Sequence, residues 1–202
     1  MRPIAFASDG THFHHALATL TVALAGSDRQ ITFMSAHLCP TGAHVRRREA
    51  AYLAVQAVPA KLTLLTGDFN SASPRDPEPE GFAALPAPDR SRYLADDLRT
   101  ADRSVLAHLE AAGWVDVGYA LGKSNTPTVP TAAFPHAEFP LMRCDYLLAS
   151  QALAAQSVHP PPTWRRITTQ CWPPSNCPNN RAEAVARQTC AKGTSKNLKE
   201  ER

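Results

Sequence analysis

The run Lys61 to Thr66 (KLTLLT) places Leu62, Leu64 and Leu65 together with no glycine, proline or internal charge, and Gly67 follows it. A run this short and this apolar reads as a strand buried on both faces, closed by the glycine. Other segments fall into place around it. Ala16 to Val22 and Gln30 to Ala36 read as two strands of a hairpin turning at Gly26-Ser27-Asp28. After Pro40-Thr41-Gly42, the residues Ala50, Leu53, Ala54 and Ala57 recur at helical spacing, and the helix is expected to end before Pro59.

Downstream, Pro74, Pro77, Pro79, Pro86 and Pro88 predict a long surface loop, because proline removes a ladder donor and stops helices. Asp102 is placed to cap a helix from Arg103 to Ala112 that closes at Gly113. Trp114 to Val117 reads as a short strand, and Met142 to Ala149 (MRCDYLLA) as a further central one. Strands alternating with helices define an α/β domain, and 202 residues are enough for one with a sizeable core.

Composition narrows the function classes. The chain has no apolar stretch of about 18 residues that would span a membrane. No repeat of roughly 20 to 50 residues marks a solenoid or propeller. The formal charge of +3 is unevenly placed, with 13 Lys or Arg against 15 Asp or Glu up to residue 163 and 8 against 3 from residue 164 onward. The body is therefore slightly acidic, and its one basic run, Arg46-Arg47-Arg48, is expected to be a solvated helix face rather than a nucleic-acid footprint. Five cysteines without paired spacing fit a reducing compartment, cytoplasmic by default, and give neither a disulfide framework nor a zinc pattern. The N-terminus shows no apolar core of a secretory signal.

Three features carry chemistry. Gly67-Asp68-Phe69-Asn70 sets a carboxylate and an amide two positions apart where a buried strand opens, able to hold a water or metal and a phosphate oxygen. An ordinary Asx turn would produce the same residues. Ser35-Ala36-His37-Leu38 puts an imidazole at a strand exit, and Asp145 lies within the apolar MRCDYLLA run, where an aspartate needs a partner. The cluster His12-Phe13-His14-His15 is read as structural rather than as a metal site.

Taken in order, SAHL at 35–38, the R-x-x-E-A helix from Arg46 to Ala50, LTGDFNS at 65–71 and RCDYLLAS at 143–150 resemble the endonuclease/exonuclease/phosphatase superfamily, the deoxyribonuclease-like fold, over roughly residues 16–155. The resemblance implies a four-layer α/β sandwich, two packed sheets flanked by helices, here incomplete, with the site at one sheet edge. It makes Asp68 the group that orients or deprotonates an attacking water and Asn70 a ligand to water, metal or phosphate oxygen. His37 would contact the phosphoryl group or leaving oxygen, and Asp145 would orient a histidine from a later segment. It also implies Mg2+ or Mn2+ held through Asp68 and Asn70, and a phosphoester substrate: a nucleic acid, a phospholipid or an inositol phosphate.

The family's N-terminal asparagine strand and its metal-binding glutamate have no counterpart here, nor has its terminal Ser-Asp-His. A reason for the latter follows from back-translation of the sequence. Arg165 through Trp172 can be encoded so that the frame one nucleotide earlier spells Ala-Ser-Asp-His-Tyr-Pro-Val-Leu, which points to a shifted reading frame between about Ala155 and Arg166. Residues 1–158 are then expected to be a partial domain and 159–202 an irregular, disordered tail, whose basic charge and three cysteines say nothing about partners. Two readings follow: a metal-dependent phosphoester hydrolase, or a catalytically silent truncated relative.

Overall fold

The computed structural model describes residues 1–123, 126–130 and 140–157, and the expected tail at 159–202 lies outside them. In chain order the elements are β1 (Arg2–Asp9), β2 (Leu17–Ala23), β3 (Gln30–His37), α1 (Ala43–Ala54), β4 (Leu62–Asp68), a 3-10 turn at Phe82–Ala84, α2 (Ala87–Ser91), α3 (Ser104–Ala111), β5 (Val115–Asp116), α4 (Val117–Ala120), β6 (Asp145–Ala149) and α5 (Gln151–Ser157). The strands form one six-stranded sheet in the order β1-β2-β3-β4-β6-β5. Only β3 and β4 are parallel, joined through α1; the other neighbours are antiparallel. The fold is thus α/β, and of the sandwich's two expected sheets the described residues build one.

One face of the sheet is the core. Met34, Leu65 and Leu148 are register partners on β3, β4 and β6, and they pack with Ala50 and Leu53 of α1 and Val105, Leu106 and Leu109 of α3. Trp114 closes this layer, its indole N–H donating to the Leu53 carbonyl over 3.0 Å. The opposite face is more open. Phe33 and Leu64 on it are half-buried, and Leu147 (39%) and Phe6 (71%) are exposed.

Several expectations need correction. Gly67 does not end β4, which runs on to Asp68. The glycine is required because a Cβ there would lie 1.7 Å from the Ala36 carbonyl oxygen, at a φ of +143°. β6 begins at Asp145 rather than Met142, so Asp145 is not buried inside the strand but exposed at its first position. The 74–88 loop contains the 3-10 turn and the start of α2, with Pro88 near the helix N-terminus, where its missing N–H costs no hydrogen bond. β1 gave no sequence signal: an edge strand exposed along most of its length has no buried face to set an alternation, and an edge accepts Pro3.

The largest correction is Arg46. Rather than joining a solvated face, it is fully buried, donating to Ser71 Oγ (3.1 Å), the Cys39 carbonyl (3.0 Å) and the Arg92 carbonyl (2.7 Å). Burial pulls its pKa down. One turn on, Glu49 is also fully buried and accepts from Cys39 N at 2.8 Å and His14 N at 2.6 Å. The two charges of the R-x-x-E pair are spent on the loops that leave β3 and β4. Arg47 does reach the surface, paired with Asp96 at 2.9 Å.

Candidate functional site

The parallel pairing of β3 with β4 and the antiparallel pairing of β4 with β6 put His37 opposite Asp68 and Asp68 opposite Asp145. One residue from each of three adjacent strands therefore stands in a row at one edge of the sheet, on the face away from the helices. Because side chains alternate across a strand, a one-residue slip in either pairing would send one of them into the core. Gly67 permits the close approach of β3 and β4 that keeps this register.

His37 Nε2 lies 3.6 Å from Asp68 Oδ2, too long for a hydrogen bond and close enough for a charge to be felt. The other carboxylate oxygen, Oδ1, accepts from Asn70 N at 2.8 Å, so the Asx turn that the sequence allowed is present. It coexists with the site. Asn70 is buried, in the left-handed region at φ 47°, and its side-chain amide donates to the Leu38 carbonyl over 3.0 Å. That bond ties the exit of β4 to the exit of β3. Asp145 is held by its backbone, its N–H and that of Cys144 both donating to Thr128 Oγ1.

Burial pushes the Asp68 carboxyl above its ordinary range. The Asn70 N–H opposes that shift, the Asp145 charge adds to it, and His37 and Arg46 oppose it more weakly. Beneath the row, Cys144 is fully buried and its thiol is pushed well up, which leaves it inert. All four sequence-assigned residues, His37, Asp68, Asn70 and Asp145, thus come to one place. The later histidine expected to meet Asp145 falls outside the described residues. Among the described residues no three His, Cys, Asp or Glu side chains gather as a metal cluster.

Two contributors escaped the sequence reading. The His15 ring rests on the His37 ring, centroids 4.4 Å apart and planes tilted by 30°. Glu49 grips His14 N from beneath. The signal for the second was present in R-x-x-E-A, since a buried acid one turn after a buried base on a helix needs fixed partners; nothing in the sequence placed the first.

No family model matches the chain, and no curated protein matches it. Solved structures do. A mannosyl-6-phosphatase of Bacteroides thetaiotaomicron VPI-5482 is similar at 12% identity and a TM-score of 0.39, over 67% of this chain and 42% of that one. An endonuclease/exonuclease/phosphatase family protein from Leptotrichia buccalis C-1013-b is similar at 13% identity and 0.38, over 67% and 42%. D. rerio TDP2, complexed with single strand DNA product, is similar at 17% identity and 0.45, over 79% and 56%. The chain spans about two-fifths of the length of the first two.

Proposed function

We propose that the chain is a partial domain, residues 1–158, of the endonuclease/exonuclease/phosphatase superfamily, and that the row His37–Asp68–Asp145 with Asn70 is a site for metal-dependent phosphoester hydrolysis. The observation that carries this reading is the register: three strands deliver an imidazole and two carboxylates side by side, and among the described residues no lysine or arginine forms an ion pair with either carboxylate. An acid whose proton affinity is raised by burial and by a second acid beside it is a poor structural choice and a good cation site.

Mg2+ fits the donors. It keeps several waters and asks for one or two carboxylates plus substrate phosphate, so it does not need a closed cluster. Asp68 and the Asn70 side-chain oxygen would hold it, and when bound it supplies positive charge against the phosphate. The protein's own groups do the rest. Asp68, with its raised pKa, takes or orients the proton of an attacking water. His37, half-exposed, faces the substrate side and donates to a phosphoryl or leaving oxygen. Asp145 orients a partner beyond itself. The substrate class is a phosphoester of a nucleic acid, phospholipid or inositol phosphate.

The test is hydrolysis of bis(p-nitrophenyl) phosphate in Mg2+ by the full chain, beside Asp68→Ala. The expected result is turnover that falls by about 100-fold or more in the variant, within the range of a lost general base. Turnover equal in both would remove Asp68 from the chemistry. Absence of turnover in the native chain would favour the second reading, a silent relative.

A further inference from the structure

His12-Phe13-His14-His15 joins β1 to β2, and each of its residues is pinned differently. His12 Nδ1 meets Asp9 Oδ2 at 2.8 Å, and its ring lies against Tyr52 of α1, centroids 4.3 Å apart. Phe13 is 5% exposed, anchored in the core. His14 gives its backbone N–H to Glu49. His15 is left with one ring contact toward the sheet, His37, besides an edge-on meeting with His14 at 4.8 Å. Of these four fixings only that of Phe13 serves the core; the other three hold exposed residues. Their combined effect is to hold the His15 ring over the His37 ring.

His37 needs such a hold. It is the last residue of β3, its side chain is 50% exposed, and its nearest charged neighbour, Asp68, is beyond hydrogen-bond distance. A side chain in that position would divide itself among staggered rotamers. A ring laid on it at 4.4 Å occupies one side of the imidazole and so narrows that freedom. Glu49 completes the device, because the same carboxylate that grips His14 N also grips Cys39 N, two residues after His37. One fully buried acid thus fixes both the loop carrying His15 and the chain leaving His37.

We propose that His15 is a positioning residue of the site, latched by Glu49 through the backbone of His14 and acting by stacking on the imidazole of His37. The role in hydrolysis rests on the proposed function; the stack and latch do not. Histidine-selective NMR of the full chain tests them, with the His37 ring signal identified by its loss in His37→Gln. In His15→Ala the His37 Cε1–H resonance moves downfield as the neighbouring ring current disappears, whereas in His15→Phe it stays displaced. In Glu49→Gln, which turns one acceptor into a donor, the His14 and Cys39 amide signals shift and the His37 resonance follows the direction seen in His15→Ala.

In bis(p-nitrophenyl) phosphate hydrolysis, His15→Ala lowers kcat by about 10- to 100-fold, as misplacement of a reacting group does, with KM little changed, and His15→Phe recovers most of the loss. A His37 resonance that ignores His15→Ala overturns the proposal, as does a kcat loss that His15→Phe fails to recover. Because His15 is exposed, its variants keep the test open even if Glu49→Gln does not fold. A native chain without turnover whose His37 resonance still responds to His15→Ala would sustain the positioning and refute the hydrolase reading instead.

Discussion

Two pairs of aspartates lie within one short stretch of this fold and are treated in opposite ways. Asp76 and Asp116 share Arg143, whose guanidinium donates to both carboxylates at 2.6 to 3.2 Å, with Asp116 fully buried and Asp76 nearly so. Burial pulls the Arg143 pKa down, but the bonds from Asp116 and Asp76 outweigh it and drive the value up, so the arginine stays ionised. Asp145, two residues after Arg143 at the start of β6, faces Asp68 across strands, and among the described residues the one cation-forming group paired with Asp68 is His37 at 3.6 Å. Burial raises both Asp76 and Asp68; Arg143 opposes the shift at Asp76, while at Asp68 the neighbouring Asp145 reinforces it. Charges that serve the fold are balanced by the fold. Those left unbalanced among the described residues are the ones proposed to take a ligand.

Breaking the balanced pair has the largest expected effect. Arg143→Met leaves two buried carboxylates without their ion-pair partner and is expected to cost about 3–5 kcal/mol in urea denaturation. Next comes Gly67→Ala, which changes no charge but forces a side chain into the space of the Ala36 carbonyl. The backbone conformation alone costs roughly 1–3 kcal/mol, and opening β3 from β4 shifts Asp68 out of the row. This variant separates the register of the site from its electrostatics.

Asp68→Asn has a smaller effect with a diagnostic pH dependence. A carboxyl whose folded pKa lies above its unfolded value binds more protons in the native state, so its contribution to stability falls as pH rises from the ordinary carboxylate value through the raised one. Native chain and variant are therefore expected to be closest in stability at acid pH, with the variant gaining on the native chain toward neutrality. Urea midpoints at pH 3.5 to 7 check the sign. Asp145→Asn, at an exposed strand end, should alter stability by no more than about 0.5 kcal/mol while letting Asp68 titrate at lower pH, as carboxyl NMR would record.

The same contrast explains what could be read in the sequence. KLTLLT, the helix from Ala43 and the strand pair around Gly26 were legible, because each has a buried side whose period shows in the residues. His37, Asp68 and Asn70 stood out as polar groups at the exits of apolar strands and Asp145 as one inside an apolar run, and the superfamily resemblance joined the four into a set. Arg143 and Asp145 were not separable: both sit in RCDY, and only the turn of the chain before β6 sends one inward to Asp76 and Asp116 and the other out to the edge. Arg46 looked like its neighbours Arg47 and Arg48, since a buried cation is set by carbonyl groups distant in sequence, at Cys39 and Arg92. His15 was invisible for a similar reason, its partner being fixed by tertiary packing.

The unbalanced pair is tested most directly by Mn2+ binding, read from the loss of free-ion electron paramagnetic resonance signal in the native chain and in Asp68→Asn. The expected result is an Mn2+ site in the native chain that Mg2+ displaces and that Asp68→Asn abolishes. Equal Mn2+ uptake by both proteins, or none by the native chain, would contradict the assignment of Asp68 and its neighbours as a cation site.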